Sequence, residues 1–225
     1  MVLRNYISKD LPEEKMKNPK ILIIGDYTNY QYHPFSGIAH TLEGLLSGRG
    51  LEPKFTEDRK ELEPENLSQY DALITYVESW DQVLPSNQIQ GILDFVASGR
   101  RIFGVHCGIS YANPEYYELF GARFTNHPPL HEFPVKISGE KHPLTDGLAD
   151  FRIEDELYMF DYKDFLQLKV LMEGDFEGKA YPLAWEKKAG AGALLYLALG
   201  HDQRAFGNEM FQKTLLNGAL WAIPK

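Results

Sequence analysis

Residues 100–110 read RRIFGVHCGIS, and the fold class can be inferred by working outward from them. Its first half is short, apolar and β-branched, which is typical of a buried strand in a parallel sheet. The strand ends at a corner where His106 and Cys107, the only cysteine of the chain, stand between Gly104 and Gly108. Glycines on both sides of such a corner predict a tight strand-to-helix turn that pushes one side chain into the open.

Strands and helices alternate along the first half of the chain, and each has its own sequence pattern. Continuous apolar runs predict strands, and apolar residues spaced three or four apart predict helices that glycines close. This alternation predicts an α/β fold with a parallel central sheet and right-handed crossovers. The predicted strands are KILIIGD (20–26), EPKFTED (52–58), 72–77 and 101–105, and the predicted helices are 34–50 and 85–99.

The second half is richer in proline, histidine and short β-like runs. We interpret residues 121–162 as an insertion or extra hairpin layer over the ligand crevice. Further strands are expected in LKVLME, YPLAWEKK and GALLYLALG, and in 133–137 and 152–160. An amphipathic helix, 206–223, closes the chain with Phe211, Leu215, Ala219 and Leu220 facing inward. Residues 1–19 are expected to be an N-terminal extension, and residues 20–225 a single α/β domain.

The bulk composition excludes several classes of protein. A net charge of −9 argues against a nucleic-acid partner, which normally meets a basic face. No apolar run is long enough to cross a bilayer, and the start of the chain lacks the apolar core of a signal peptide. A single cysteine excludes an internal disulfide framework. These features predict a cytoplasmic protein with neither a membrane nor a nucleic-acid partner.

The segment GDYTNYQYHPF (25–35) places several aromatic side chains directly after the first predicted strand. In parallel sheets the ligand crevice lies beyond the carboxyl ends of the strands. Aromatic faces beside polar groups suit a sugar ring, whose C–H face is apolar. We therefore expect Tyr27, Tyr32 and Phe35 to bind substrate, with Trp80 after the third strand. The alternative is that these rings only pack a long loop.

The corner after the fourth strand is the first candidate for chemistry. In the pattern Gly-x-nucleophile-x-Gly the apex falls on His106, and Cys107 stands one position later. A displaced thiol points elsewhere, so this spacing favours His106 as the functional residue and Cys107 as support. Two alternatives stay open, in which Cys107 is the nucleophile of a hydrolase or both residues only pack the bend.

Histidines follow three different predicted strands, and they form the second candidate. His33, His106 and His201 would meet at one sheet edge, and an acid such as Glu156 from IEDELY would join them. Three histidines with an acid suit zinc or a similar divalent metal. Without a metal, one histidine and one acid suffice for proton transfer. We further expect His127, Asp202 and Arg204 to contact the substrate.

The stretches GVHC, GARFTNHPPLHEFPV, HPLTDGLADFRIEDELY and PLAWEKKAGAGALLYLALGHDQRAF together resemble the ThuA-like, or trehalose utilisation, family. The resemblance implies a flavodoxin-like three-layer sandwich of the class I glutamine amidotransferase-like superfamily. It also implies a role in the catabolism of trehalose, related disaccharides and their oxidised derivatives. His106 stands at the position of the amidotransferase cysteine, so glutaminase activity is not expected. His201 matches the stretch that carries the superfamily's catalytic histidine.

Our leading hypothesis is a sugar-processing enzyme that hydrolyses or isomerises a (keto)glycoside. His106, His201 and Glu156 are its candidates for catalysis, and a small-molecule carbohydrate is its partner. The first alternative is a non-catalytic carbohydrate-binding or regulatory module on the same fold. The second is an amidase or hydrolase that depends on Cys107. Exposed sheet edges also favour a homo-oligomer.

Overall fold

The computed structural model describes residues 17–224 as an α/β fold built on one large mixed sheet. Eleven strands lie in this range: Lys20–Gly25 (β1), Glu52–Thr56 (β2), Ala72–Tyr76 (β3), Arg101–Val105 (β4), Ala122–Asn126 (β5), His131–Ile137 (β6), Phe151–Asp155 (β7), Met159–Tyr162 (β8), Lys169–Phe176 (β9), Lys179–Ala189 (β10) and Gly192–Leu197 (β11). The α-helices of the same range are Phe35–Leu46 (α1), Pro64–Leu67 (α2), Ser86–Ala97 (α3), Pro114–Phe120 (α4), Gln203–Phe206 (α5) and Glu209–Ala222 (α6).

The nine-stranded sheet has the order β2-β1-β3-β4-β11-β10-β9-β6-β7. Its first five strands pair in parallel, and the remaining pairs are antiparallel. The parallel sheet predicted for the first four strands is therefore confirmed, and β11 extends it. Because parallel strands share one direction, the carboxyl ends of β1, β3, β4 and β11 meet at one edge of the sheet.

The central strands are buried on both faces, which explains their continuous apolar sequences. All five residues of β3 and all six of β11 are buried. Helix α1 covers the sheet with Ile38 and Leu42, and α3 with Ile92 and Phe95. Helix α1 packs beside α6, and α3 packs beside α2.

The predicted helices are confirmed, with one correction in α6. Asn208 caps this helix by accepting hydrogen bonds from the backbone N–H groups of Met210 and Phe211. Phe211 is fully buried as expected, but Leu220 is 39% exposed. The buried stripe passes through Ala219 and Ala222 instead, because successive helical residues are turned by about 100°.

The strand expected over residues 152–160 is interrupted in the structure. Strand β7 ends at Asp155 and joins the large sheet, whereas β8 begins at Met159 and pairs with β5 in a separate two-stranded ribbon. The three residues between them, Glu156 to Tyr158, are buried in the protein. A change of sheet at this point turns the side chain of Glu156 inward.

Most of the predicted N-terminal extension lies outside the described residues. Residues 17–19, which are described, have no regular structure before β1 begins at Lys20. Among the helices of residues 17–224, none combines the length and apolar character that a membrane crossing needs.

Candidate metal centre

His106 lies at the apex of the corner after β4. It begins a 3₁₀ turn over His106–Ile109 and has a φ of 48°, a left-handed conformation that is unfavourable for a residue with a Cβ. The turn also passes very close to β3. A Cβ on Gly108 would lie 2.1 Å from the carbonyl oxygen of Thr75, so only glycine fits there. The structure thus places His106, and not the cysteine, in the strained position.

The imidazole of His106 is fully buried and held in one orientation. Its Nδ1 lies 2.7 Å from the carbonyl oxygen of Ala198. Since a carbonyl oxygen only accepts, Nδ1 donates the proton and Nε2 keeps its lone pair. Burial lowers the pKa of His106 to about 4, so the ring is neutral near pH 7. Nε2 is buried and has no hydrogen-bond partner in the described protein.

His33 is positioned by a carboxylate that folds the loop before α1. The Oε2 atom of Glu78 accepts hydrogen bonds from the backbone N–H groups of Gln31, Tyr32 and His33, at 3.1, 2.9 and 2.8 Å. The same oxygen lies 3.2 Å from Nδ1 of His33. Burial acts to raise the pKa of Glu78, but His33 and these N–H groups outweigh it and lower the pKa to about 2. The second ring nitrogen of His33, Nε2, is thereby directed at the cluster.

His201 follows β11 and is held by a second buried carboxylate. Asp155 accepts hydrogen bonds from the backbone N–H groups of Gly200 and His201, at 2.7 and 3.1 Å. The hydroxyl of Tyr76 donates to the carbonyl oxygen of Gly200 at 2.8 Å. Complete burial raises the pKa of Asp155 to about 7, although these N–H groups act to lower it. This backbone corner is therefore pinned at three points.

Glu156 joins the three histidines. Its Oε2 lies 3.2 Å from Nδ1 of His201, 3.5 Å from Nε2 of His106 and 3.7 Å from Nε2 of His33. One ligand atom from each of the four residues lies within 4.8 Å of all the others. Burial acts to raise the pKa of Glu156, but the surrounding histidines lower it well below its usual range.

These four side chains fit a divalent metal ion. Donor atoms about 2.0–2.2 Å from a tetrahedral zinc ion lie roughly 3.3–3.6 Å from one another. The separations of 3.2, 3.5 and 3.7 Å around Glu156 Oε2 span that range. His106 Nε2, His201 Nδ1 and Glu156 Oε2 are all buried without a hydrogen-bond partner in the described protein, which is expensive unless an ion satisfies them. The outer nitrogens of His106 and His33 face a carbonyl and a carboxylate, as those of metal-binding histidines usually do.

Aromatic side chains and one further histidine surround the cluster. The ring of Tyr158 lies over that of His106 with centroids 4.2 Å apart, and its hydroxyl lies 3.3 Å from His33 Nε2. Trp80 packs on Phe124 of the β5–β8 ribbon at 4.7 Å. His127 places Nε2 3.5 Å from Glu156 Oε1 and keeps about a third of its side chain exposed, 34%. Aromatic rings therefore pack around the cluster, and the partly exposed His127 lies between Glu156 and solvent.

The structure brings together only part of the predicted substrate set. Phe35 is wrongly placed in that set, because its ring is fully buried against Tyr27 and Tyr76 at the start of α1 and lies in the core. Tyr27 and Tyr32 are 40% and 60% exposed, and the ring of Tyr32 lies 6.3 Å from that of His33. Trp80 lies 6.4 Å from His33, in the wall of the site.

Asp202 and Arg204 carry structural contacts at the edge of the site. Asp202 caps α5 by accepting from the backbone N–H of Arg204 at 2.9 Å, and the two side chains form an ion pair. Arg204 also lies 3.3 Å from a carboxylate oxygen of Glu154. The charged groups of Asp202 and Arg204 are therefore paired within the protein, and neither residue belongs to the four-residue cluster.

Cys107 is fully buried and faces away from solvent. Burial raises the pKa of its thiol well above the usual value, with the carboxylates of Glu78 and Asp26 adding to the effect. The thiolate is the reactive form of cysteine, so these surroundings oppose nucleophilic chemistry at this residue.

Three important residues receive no role in the site from sequence reasoning. Glu78 and Asp155 shape the backbone around His33 and His201, and Tyr158 covers His106. The sequence points to them only indirectly, because Glu78 follows a predicted strand and the motif IEDELY contains both Asp155 and Tyr158. Of the three acids in that motif, two turn inward and Glu154 stays on the surface.

Comparisons with known proteins agree with this fold. A sequence model of the ThuA family, described as trehalose utilisation, matches residues 20–222. A ThuA-like protein from Bacteroides uniformis ATCC 8492 superimposes with a TM-score of 0.77 at 19% identity, over 96% of each chain. One from Parabacteroides merdae ATCC 43184 has a TM-score of 0.76 at 20% identity, over 92% of this chain and 90% of that one.

The chain also resembles an NADH-quinone oxidoreductase component from Jannaschia sp. (strain CCS1). The two are 31% identical over 97 residues, which cover 39% of this chain and 47% of that protein. The match thus spans about half the length of the curated relatives.

Proposed function

Because this chain belongs to the ThuA family of trehalose utilisation, we propose that it is a metal-dependent enzyme acting on a disaccharide or its keto derivative. Family membership supports a role in sugar catabolism. The proposed metal ligands are His33, His106, Glu156 and His201. The observation that carries this proposal is the convergence of their buried donor atoms, three of which have no hydrogen-bond partner in the described protein.

The proposed division of labour follows from the exposure and contacts of each side chain. A bound divalent ion would polarise a carbonyl or hydroxyl oxygen of the sugar. His127 is the most exposed histidine around the cluster, with 34% of its side chain exposed against 17% for His201, so we assign it proton transfer between substrate and solvent. Trp80, which is partly exposed, would pack against the apolar face of a sugar ring, and the buried Tyr158 behind it would exclude water from the cluster. Hydrolysis or isomerisation of a glycoside fits these roles.

Two features of the chain support a flavodoxin-like fold with an inserted layer. The order β2-β1-β3-β4-β11 of the parallel strands is the 2-1-3-4-5 order of flavodoxin-like folds. Phe124 of the β5–β8 ribbon packs on Tyr158, whose ring covers His106, and this contact supports an inserted layer over the crevice. The cytoplasmic location and the homo-oligomer stay predictions.

Elemental analysis of protein purified without a histidine tag tests the metal centre. We expect close to one zinc, manganese, iron or nickel ion per chain in the wild type and little in His106→Ala. His40→Ala is the matched control, because His40 is exposed on α1. Metal-free wild-type protein, or equal metal content in His106→Ala, would contradict the proposal.

A turnover assay separates the enzyme from a binding module. The metal-loaded protein is incubated with trehalose, other disaccharides and their keto derivatives, and products are measured by chromatography. We expect turnover that His127→Ala reduces by about 10²-fold or more while metal content is unchanged. Sugar binding without any turnover would instead identify a carbohydrate-binding or regulatory module.

A further inference from the structure

A polar cavity of about 340 Å³ opens at the carboxyl ends of β1, β2 and β3, apart from the four-residue cluster. This volume lies in the lower part of the range of roughly 300–1,000 Å³ that is typical of small-molecule sites. All six residues that line the cavity are polar or charged. They are Asp26, Asn29, Glu57, Arg59, Ser79 and Gln82.

The charges on this lining oppose an anion. Asp26 and Glu57 contribute two carboxylates, whereas Arg59 contributes the one guanidinium of the set. Arg59 is paired with Asp26, so its charge is already used within the protein. Glu57 is also fixed, because Oε2 accepts hydrogen bonds from the backbone N–H groups of Tyr27 and Thr28 at 2.9 Å each. A phosphate or carboxylate entering the cavity would meet excess negative charge.

The remaining lining suits a neutral polyol. Asn29, Ser79 and Gln82 offer amide and hydroxyl groups that both donate and accept. Sugar hydroxyls have the same double capacity, and the carboxylates add strong acceptors for hydroxyl protons. No apolar side chain lines the cavity, so it does not suit a hydrophobic ligand.

The loop between β1 and α1 connects this cavity to the cluster. Glu57 binds its backbone at Tyr27 and Thr28, and Glu78 binds it at residues 31–33. Asn29 lines the cavity, and His33 belongs to the cluster on the same loop. The backbone N–H of Glu78 in turn donates to Asp26 at 2.8 Å. Both sites are thus built on the carboxyl ends of β1 and β3.

We propose that the cavity is a subsite for one neutral sugar ring of the substrate, with the reacting ring at the histidine cluster. This inference rests on the proposed function and adds a specificity, because it selects neutral disaccharides over phosphorylated or acidic ones. Gln82 and Asn29 recognise ring hydroxyls, and Glu57, the carboxylate not paired with Arg59, rejects anions.

Titration calorimetry on the zinc-loaded full chain tests the subsite, with trehalose as the neutral probe and trehalose 6-phosphate as the anionic one. Asn29→Ala/Gln82→Ala should bind trehalose about tenfold more weakly, since two hydrogen bonds to the ligand are lost. Both residues are exposed, so the fold should be unaffected. Gln69→Ala, at the opposite end of β3, is the matched control and should bind like wild type. Wild type should prefer trehalose to its phosphate by about tenfold.

Equal affinity of the double variant and wild type for trehalose would overturn the subsite, and so would tighter binding of the phosphate. Absence of trehalose binding to wild type would overturn it too. The proposed function is judged separately, by metal content and turnover. A metal-containing enzyme that turns over a disaccharide but is insensitive to these substitutions would refute the subsite alone.

Discussion

Oε2 of Glu156 lies 3.2 Å from Nδ1 of His201, and neither atom has a hydrogen-bond partner in the described protein although both are buried. The two residues lie at the ends of different strands, and Asp155, next to Glu156, binds the backbone of His201. The geometry of the cluster therefore depends on this pair.

Glu156→Gln should abolish stabilisation by zinc. A ligand at about 100 times its Kd stabilises the folded state by about 2.7 kcal/mol, which is roughly 5–10 °C in Tm for a chain of this length. We expect that shift when zinc is added to chelator-treated wild type and no shift in Glu156→Gln. Glu154→Gln, altering the exposed neighbour, should keep the shift. A full zinc response in Glu156→Gln would exclude this carboxylate as a ligand.

Glu78→Gln should loosen the loop that carries His33. The carboxylate accepts three backbone N–H bonds, and hydrogen bonds to a charged group contribute about 1.5–3 kcal/mol. We expect the amides of residues 31–33 to exchange about 30-fold faster, corresponding to about 2 kcal/mol, in hydrogen-exchange mass spectrometry. Glu43→Gln on the exposed face of α1 should leave their exchange unchanged. Unaltered exchange in Glu78→Gln would show that the loop is held by other contacts.

The same substitution should have opposite effects at two glycines. Gly108→Ala would place a Cβ 2.1 Å from the backbone oxygen of Thr75, so we expect a loss of about 3 kcal/mol or more in the free energy of unfolding. Gly44→Ala lies in α1 with nothing within 4 Å of the new Cβ. There we expect a gain of about 0.5–1 kcal/mol, because alanine favours a helix. Urea denaturation measures both, and a stable Gly108→Ala protein would argue against the close approach to β3.

The Cys107 thiol should be inert in the folded protein. It is fully buried, and burial raises its pKa well above the usual value. We expect no reaction with Ellman's reagent in native buffer and one thiol per chain after unfolding in urea. Rapid labelling of native protein, accompanied by loss of turnover, would revive the thiol-hydrolase alternative.

Glu186→Gln should change stability in a pH-dependent way. Its Oε2 lies 3.3 Å from Nε2 of His142, which lowers the pKa of Glu186 from its usual value near 4.5. Folding therefore favours the ionised carboxylate. Its contribution is complete above pH 4.5 and disappears as the pH falls through the lowered pKa.

Urea denaturation at two pH values compares the free energy of unfolding of Glu186→Gln with that of wild type. We expect Glu186→Gln to lose about 1 kcal/mol near pH 6 and much less near pH 3.5. Glu173→Gln, an exposed substitution on β9, should show no such difference between the two conditions. A constant loss at both pH values would mean that the charge of Glu186 is not involved.

Local sequence alone determined the central elements and the apex at His106. Apolar runs define the parallel strands because a strand covered on both faces needs apolar residues throughout. The spacing of Gly104 and Gly108 locates the apex because backbone sterics operate over a few residues. These predictions needed no knowledge of distant parts of the chain.

The choice of side chains in the site depends on contacts between distant parts of the chain. His33 and Glu156 are 123 residues apart, and the order of strands in the sheet brings them together. The change from β7 to the β5–β8 ribbon turns Asp155 and Glu156 inward and leaves Glu154 outside. Phe35, itself predicted to bind substrate, lies in the core because α1 begins there. Such choices depend on long-range packing, which no local pattern encodes.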